Sequence, residues 1–143
     1  MTTIIRQGAL EDLNALIAFD DIARASEERR SLLRQGLNGS GVSVALVDGV
    51  PKGYALLNYR FFGHAFIELV YVCADERRSG IGSALIQCVS QNANGSKLFT
   101  STNRSNTPMQ ALLAKLGFEE SGIIHNLDPG DPELVYFKRL SGR

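Results

Sequence analysis

The stretch from Ala65 to Cys73 constrains the fold more than any other part of the chain. Apolar and aromatic side chains occupy both of its alternating faces, and Glu68 is its single charged residue. A strand that is apolar on both faces has to be covered on both. The chain therefore needs a sheet with this strand in its interior and helices packed on each side. Its 143 residues suffice for one such domain, which is expected to span residues 1–143.

The flanking patterns supply the remaining layers. Residues 2–7 read as a short strand, and Ala9, Leu13, Leu16 and Ile17 recur at helical spacing up to about Arg24. Ser26 is placed to cap a second helix whose first turn carries Glu27 and Glu28, and Asn38-Gly39 ends it. The charges of that helix, Arg29 and Arg30 included, read as a solvated face. Val42, Val44 and Leu46 alternate up to Asp48-Gly49, a hairpin signal, and Tyr54 to Phe62 returns. After the central strand, Ile81, Ala84, Leu85, Cys88 and Val89 form the stripe of an amphipathic helix. A strand at 97–102 follows, then a helix with Pro108 in its first turn that ends at Gly117. Two last strands, near 118–125 and 133–139, flank a turn-rich loop. The expected class is α/β with a mixed sheet, in the order β-α-α-β-β-β-α-β-α-β-β.

Charge and composition exclude several functions. Fifteen Lys and Arg balance fifteen Asp and Glu, so no overall positive field draws nucleic acid or an anionic membrane. The longest uncharged run, Ser79 to Ser96, is interrupted by Ser, Asn, Gln and Gly and is no hydrocarbon span. The N-terminal residues lack the layout of a secretory signal. Cys73 and Cys88 sit inside apolar patterns and read as reduced core thiols, which fits a cytoplasmic home. No Cys/His spacing or carboxylate cluster suggests a metal.

Chemistry concentrates in Arg77-Arg78-Ser79-Gly80-Ile81-Gly82-Ser83, which joins the central strand to the helix behind it. Successive backbone N–H groups at such a junction make a socket for phosphate oxygens, to which the helix dipole and the two arginines add positive charge. A tight turn would use the same glycines. A dinucleotide fingerprint would need a small residue where Leu85 stands, and the Gly-Lys-Ser/Thr of a P-loop is absent.

This segment resembles the core motif of the GNAT superfamily of acyl-CoA-dependent N-acetyltransferases, Arg/Gln-X-X-Gly-X-Gly/Ala, matched by Arg77, Gly80 and Gly82. Glu68 to Val72 looks like that family's splayed fourth strand, and Asn106 with Leu116-Gly117-Phe118 like its second motif. The resemblance implies acetyl-CoA, with coenzyme A pyrophosphate on Arg78 to Ser83 and the pantetheine arm along the backbone of Val70, Tyr71 and Val72 and near Asn106. It also implies a small-molecule or protein amine as partner, and homodimers are common in the family.

An alkyl amine of pKa about 10.4 is neutral in only about one molecule in 2,500 at pH 7, so a base is useful. Glu68, expected on the face shared by Phe66, Val70 and Val72 and raised in pKa by partial burial, reads either as that base or as an orienting carboxylate. Leu113 stands where many members carry a Tyr acid, and Thr100 where some carry a Glu base. Tyr71 and Tyr136 are substitutes for the acid, and His64 and His125 read as surface or turn residues. The leading expectation is direct acetyl transfer to an amine in a ternary complex. The alternative is a non-catalytic acyl-CoA-binding or sensing module on the same fold.

Overall fold

The computed structural model describes residues 2–140; the two ends of the expected domain span, residue 1 and residues 141–143, lie outside the described residues. Seven strands form one sheet in the spatial order β1-β2-β3-β4-β5-β7-β6. They are β1 (Thr3–Gln7), β2 (Val42–Val47), β3 (Val50–Phe61), β4 (His64–Val72), β5 (Lys97–Asn103), β6 (Glu119–Ile124) and β7 (Glu133–Arg139). Only β4 and β5 run parallel; every other neighbouring pair is antiparallel. Asp48 and Gly49 turn β2 into β3 with left-handed φ values of 49° and 82°, the geometry that follows the twist of the two strands.

Two helical layers cover the sheet, as the doubly apolar β4 requires. On one face, α1 (Leu13–Phe19), α2 (Asp21–Ala25) and α3 (Glu27–Asn38) bury Leu16, Ala23, Leu33 and Leu37 against Val42, Val44, Tyr54 and Leu56. On the other, α4 (Ile81–Asn92) and α5 (Thr107–Lys115) bury Ile81, Leu85, Ile86, Val89 and Leu113 against Ala45, Ala55, Ala65, Ile67 and Leu98. No helix among the described residues is long and apolar enough to cross a membrane.

The sequence expectation of one helix up to Arg24 is corrected at Asp20. A 3-10 turn at Leu10–Asp12 leads into α1, and Asp20 then leaves the helical region with φ −99° and ψ 98°. Its Oδ1 accepts from the N–H groups of Ile22 and Ala23, each at 3.0 Å, so the residue ends one helix and caps the next. The capping carboxylate is fully buried. Its Oδ2 accepts from the Tyr54 hydroxyl at 2.5 Å and from Arg29 Nε at 3.2 Å. Burial first, and then Asp20, push the Tyr54 phenol far above its usual pKa, so it stays a donor.

Arg29 is thereby removed from the solvated face assigned to it: its side chain is 14% exposed. The Ser26 cap is present, its Oγ accepting from Arg29 N–H at 3.1 Å. That cap fixes the start of α3 and so the height at which Arg29 meets the sheet.

Removing a buried carboxylate strands its cationic partner. Asp20→Ala is expected to lower unfolding free energy by about 3–5 kcal/mol, measured by urea denaturation, whereas Tyr54→Phe, which deletes one donor of several, is expected to cost about 1–2 kcal/mol.

Candidate active site

β4 and β5 are paired over only three positions, Ala65, Ile67 and the Phe66 between them, opposite Leu98 to Thr100. Beyond Ile67 the strands part. The cause lies in the register of β4 against β3: Leu57 faces Ile67 and Leu56 faces Leu69, so Glu68 is an extra residue in β4. Such a bulge bends its strand and interrupts the ladder. At the apex the buried Thr100 donates its hydroxyl to the Ile67 carbonyl at 2.9 Å.

The bulge also corrects the expected face of Glu68. Ala65 and Ile67 pack with the α4–α5 core, as do Val70 and Val72, whereas Leu69 and Tyr71 pack with the α1–α3 core. Glu68 stays with Phe66 and not with Val70 and Val72, because the extra residue reverses the alternation between them. The single charged residue of the strand has polar partners on that side. Its side chain is 30% exposed, accepts from Asn58 Nδ2 at 2.6 Å, and has Arg60 at 3.5 Å.

Past the bulge, one edge of β4 is unpaired. Tyr71 faces Tyr54 on β3 and the Cys73 N–H reaches the Lys52 carbonyl, so by alternation the N–H and C=O groups of Val70 and Val72 point to the open side. Arg77 Nε donates to the Val72 carbonyl at 3.0 Å, and the Arg77 guanidinium lies 5.3 Å from the Tyr71 ring centroid. The arginine expected in the phosphate socket thus braces β4 through its Nε. Tyr71 itself points to the α1–α3 face, where its hydroxyl donates to Asp21. Burial and then Asp21 raise its pKa, and the same bond lowers that of Asp21.

The loop then delivers the start of α4. Arg78 and Gly80 take left-handed φ values of 68° and 86°, and no side chain caps the helix. The N–H groups of the first turn are thus left facing outward with the positive end of the dipole. Ser79 turns its hydroxyl back to the Glu76 carbonyl. A Cβ on Gly82 would meet Leu112 and Val72 only at ordinary contact distances of 3.6 and 3.8 Å, so protein packing does not require a glycine there. Across the opening, Asn106 Oδ1 caps α5 by accepting from Met109 N–H at 3.2 Å.

A cleft of about 160 Å³ occupies the gap. Arg29, Glu68 and Glu133 line it together with Val70, Thr100, Ile86, Asn106 and Leu113, so it reaches the α1–α3 side as well as the α4–α5 side. Glu133, at the start of β7, accepts from Ser101 Oγ at 2.8 Å. Neither Glu133 nor Arg29 was singled out from the sequence.

The model of the acetyltransferase (GNAT) family matches residues 10–118. The chain belongs to the GNAT acetyltransferase family. A GNAT-family acetyltransferase from Bacillus cereus superposes with a TM-score of 0.91 at 27% identity, covering 97% of this chain and 98% of that one. The Escherichia coli ribosomal-protein-S18-alanine N-acetyltransferase gives 0.84 at 20% identity, over 99% and 96% of the two chains. A Salmonella typhimurium structure described as a putative acetyltransferase with its cofactor acetyl-CoA gives 0.73 at 18%, over 100% and 96%. These last two likenesses show the fold. No protein of curated function matches the chain.

As a GNAT N-acetyltransferase, the enzyme takes its acetyl group from acetyl-CoA. The site fits that donor: uncapped N–H groups suit a pyrophosphate, and an unpaired strand edge suits an amide-bearing arm. Leu113 is 1% exposed and belongs to the core. Tyr71 is engaged with Asp21, and Tyr136 is buried in the α4–α5 core with its pKa raised by that burial and then by Glu120.

The apex is the part of the site most open to a stability test. Thr100→Val keeps the volume, removes the hydroxyl donated to Ile67, and is expected to cost about 1–2 kcal/mol by urea denaturation.

Proposed function

We propose that this GNAT enzyme transfers the acetyl group to a primary amine by direct attack in a ternary complex. The observation that carries the proposal is the bulge at Glu68. It opens β4 toward the cofactor at Val70 and Val72 while turning the carboxylate to the α1–α3 side, from which an acceptor can enter. Arg78 to Ser83 hold the pyrophosphate on the start of α4. The backbone of Val70, Tyr71 and Val72 carries the pantetheine arm, with the Val70 and Val72 groups toward it, and Asn106 contributes Nδ2. Arg77 keeps Val72 in place.

Bound acetyl-CoA supplies an acyl group activated as a thioester, and a thiol of pKa about 8.5 leaves as thiolate with modest help. The Val72 N–H is placed to polarise the acyl oxygen. The larger task is the amine. At pH 7 its ammonium form lies about 4.6 kcal/mol below the reactive base. Glu68 takes that proton, directly or through a water, while Asn58 and Arg60 hold its carboxylate in position. Glu133 is the second carboxylate of the cleft and holds the ammonium before it is deprotonated. The acceptor is taken as a small amine, which the cleft of about 160 Å³ can admit; a protein amine, entering as a chain terminus or a lysine side chain, is the other acceptor of this reading. The free thiols Cys73 and Cys88 fit a reducing cytoplasm. A homodimer paired through the sheet edge is part of this reading and is tested by sedimentation.

Calorimetric titration with acetyl-CoA, with ATP and NAD as controls, tests the cofactor. Micromolar binding of acetyl-CoA alone is expected, and Gly82→Trp, which fills the helix start, is expected to abolish it while Gly82→Ala retains it. Unchanged affinity in the Trp variant would show that the pyrophosphate lies elsewhere.

A base must be unprotonated to act, so activity is expected to fall as pH is lowered. Glu68→Gln is expected to reduce kcat by about 10²–10⁴-fold and to remove that acidic limb while acetyl-CoA binding persists. A limb that survives in Glu68→Gln and disappears in Glu133→Gln would transfer the role to Glu133.

A further inference from the structure

The cleft contains a cation that amine acetylation does not need. Arg29 lines it, and only its Nε is committed, donating to Asp20 Oδ2 at 3.2 Å and to the Tyr54 hydroxyl oxygen at 3.0 Å. Among the described residues, Nη1 and Nη2 have no hydrogen-bond acceptor. The side chain as a whole is 14% exposed, a placement that costs desolvation, yet among the described residues no buried side-chain nitrogen is left unpaired, so Nη1 and Nη2 remain open to a partner from solvent.

The group is also fixed in direction. Its Cζ lies 5.6 Å from the Tyr71 ring centroid and 6.0 Å from that of Tyr54, and those two rings are themselves stacked at 6.2 Å. Asp20 anchors Nε from the buried side. With Nε held, the edge left over is the one bearing Nη1 and Nη2, two parallel donors whose spacing matches the two oxygens of a carboxylate. A single amide oxygen would satisfy only one of them.

Opposite charges therefore line one small space, the Glu68 and Glu133 carboxylates for an ammonium and the Arg29 fork for an anion. We infer that the acceptor is a small amine that also bears a carboxylate, an amino acid or a close derivative, and that Arg29 is the residue selecting it. This rests on the transferase reading above and narrows its substrate. Arg29 acts here in binding; it takes no proton.

The test uses wild-type enzyme loaded with acetyl-CoA and the common amino acids, each beside its primary amide and its decarboxylated amine. Thiol release gives kcat/KM, and calorimetry on the loaded enzyme gives binding. At least one amino acid is expected to exceed both its amide and its decarboxylated amine by about tenfold or more in kcat/KM, and to bind where they do not. In Arg29→Lys, which keeps a charge beside Asp20 but not the fork, that preference is expected to fall about tenfold or more, through KM.

Amides or simple amines that match every amino acid, the absence of amino-acid binding to the loaded enzyme, or a preference that survives in Arg29→Lys would overturn the inference. The wild-type panel decides the matter if the variant does not fold. Failure to bind acetyl-CoA at all would sink the transferase reading first and is seen in a separate titration.

Discussion

One extra residue in β4 organises this molecule. A regular strand would pair with β5 along its whole length and leave a closed sheet with helices on both faces. With Glu68 inserted opposite the step from Leu56 to Leu57, pairing stops after Ile67, and the remaining half of β4 keeps β3 on one side and an open edge on the other. The same insertion sorts the side chains, so that Val70 and Val72 stay with the α4–α5 layer while Glu68, Leu69 and Tyr71 turn to the opposite one. A division of one strand between the two faces of the sheet follows from a local change in register.

The second determinant is the buried triad of Asp20, Tyr54 and Arg29. It splits the first helical region in two, ties α1 and α2 to β3, and directs the Arg29 fork. Its members are fully buried, fully buried and 14% exposed, a costly arrangement whose hydrogen bonds offset the desolvation. The helical layer that looks like plain cover in sequence thus also contributes Arg29 to the wall of the cleft.

Much of this was legible in the residues. The doubly apolar run around Glu68 required two covering layers, Asp48-Gly49 and Ser26 marked a hairpin and a helix start, and the glycines at 80 and 82 marked the helix start behind β4. What escaped depends on partners distant in the chain. The bulge exists only relative to β3, so alternation read along β4 put Glu68 on the wrong side of Val70. Arg29 in Ser-Glu-Glu-Arg-Arg looks like any solvated charge until Tyr54, 25 positions away, accepts from it. Glu133 follows a turn-rich loop and reads as the polar start of a last strand. Asp20 was hidden because helical spacing continues past it, and only its carboxylate shows that the backbone breaks there.

The three-position seam between β4 and β5 has a further consequence for how the chain assembles. β2, β3 and β4 close through short turns, and β6 and β7 pair across one loop, while β1 joins β2 and β5 joins β7 over separations as long as the one between the two halves of the sheet. Joining them requires Thr100 to find Ile67 across 33 residues, a loop closure rewarded by very few backbone bonds. The seam is the shortest ladder in the sheet, with three paired positions, and so the line along which the fewest backbone bonds hold the two halves together. A cofactor arm bridging the halves would close that seam, making the enzyme more rigid when loaded than when empty.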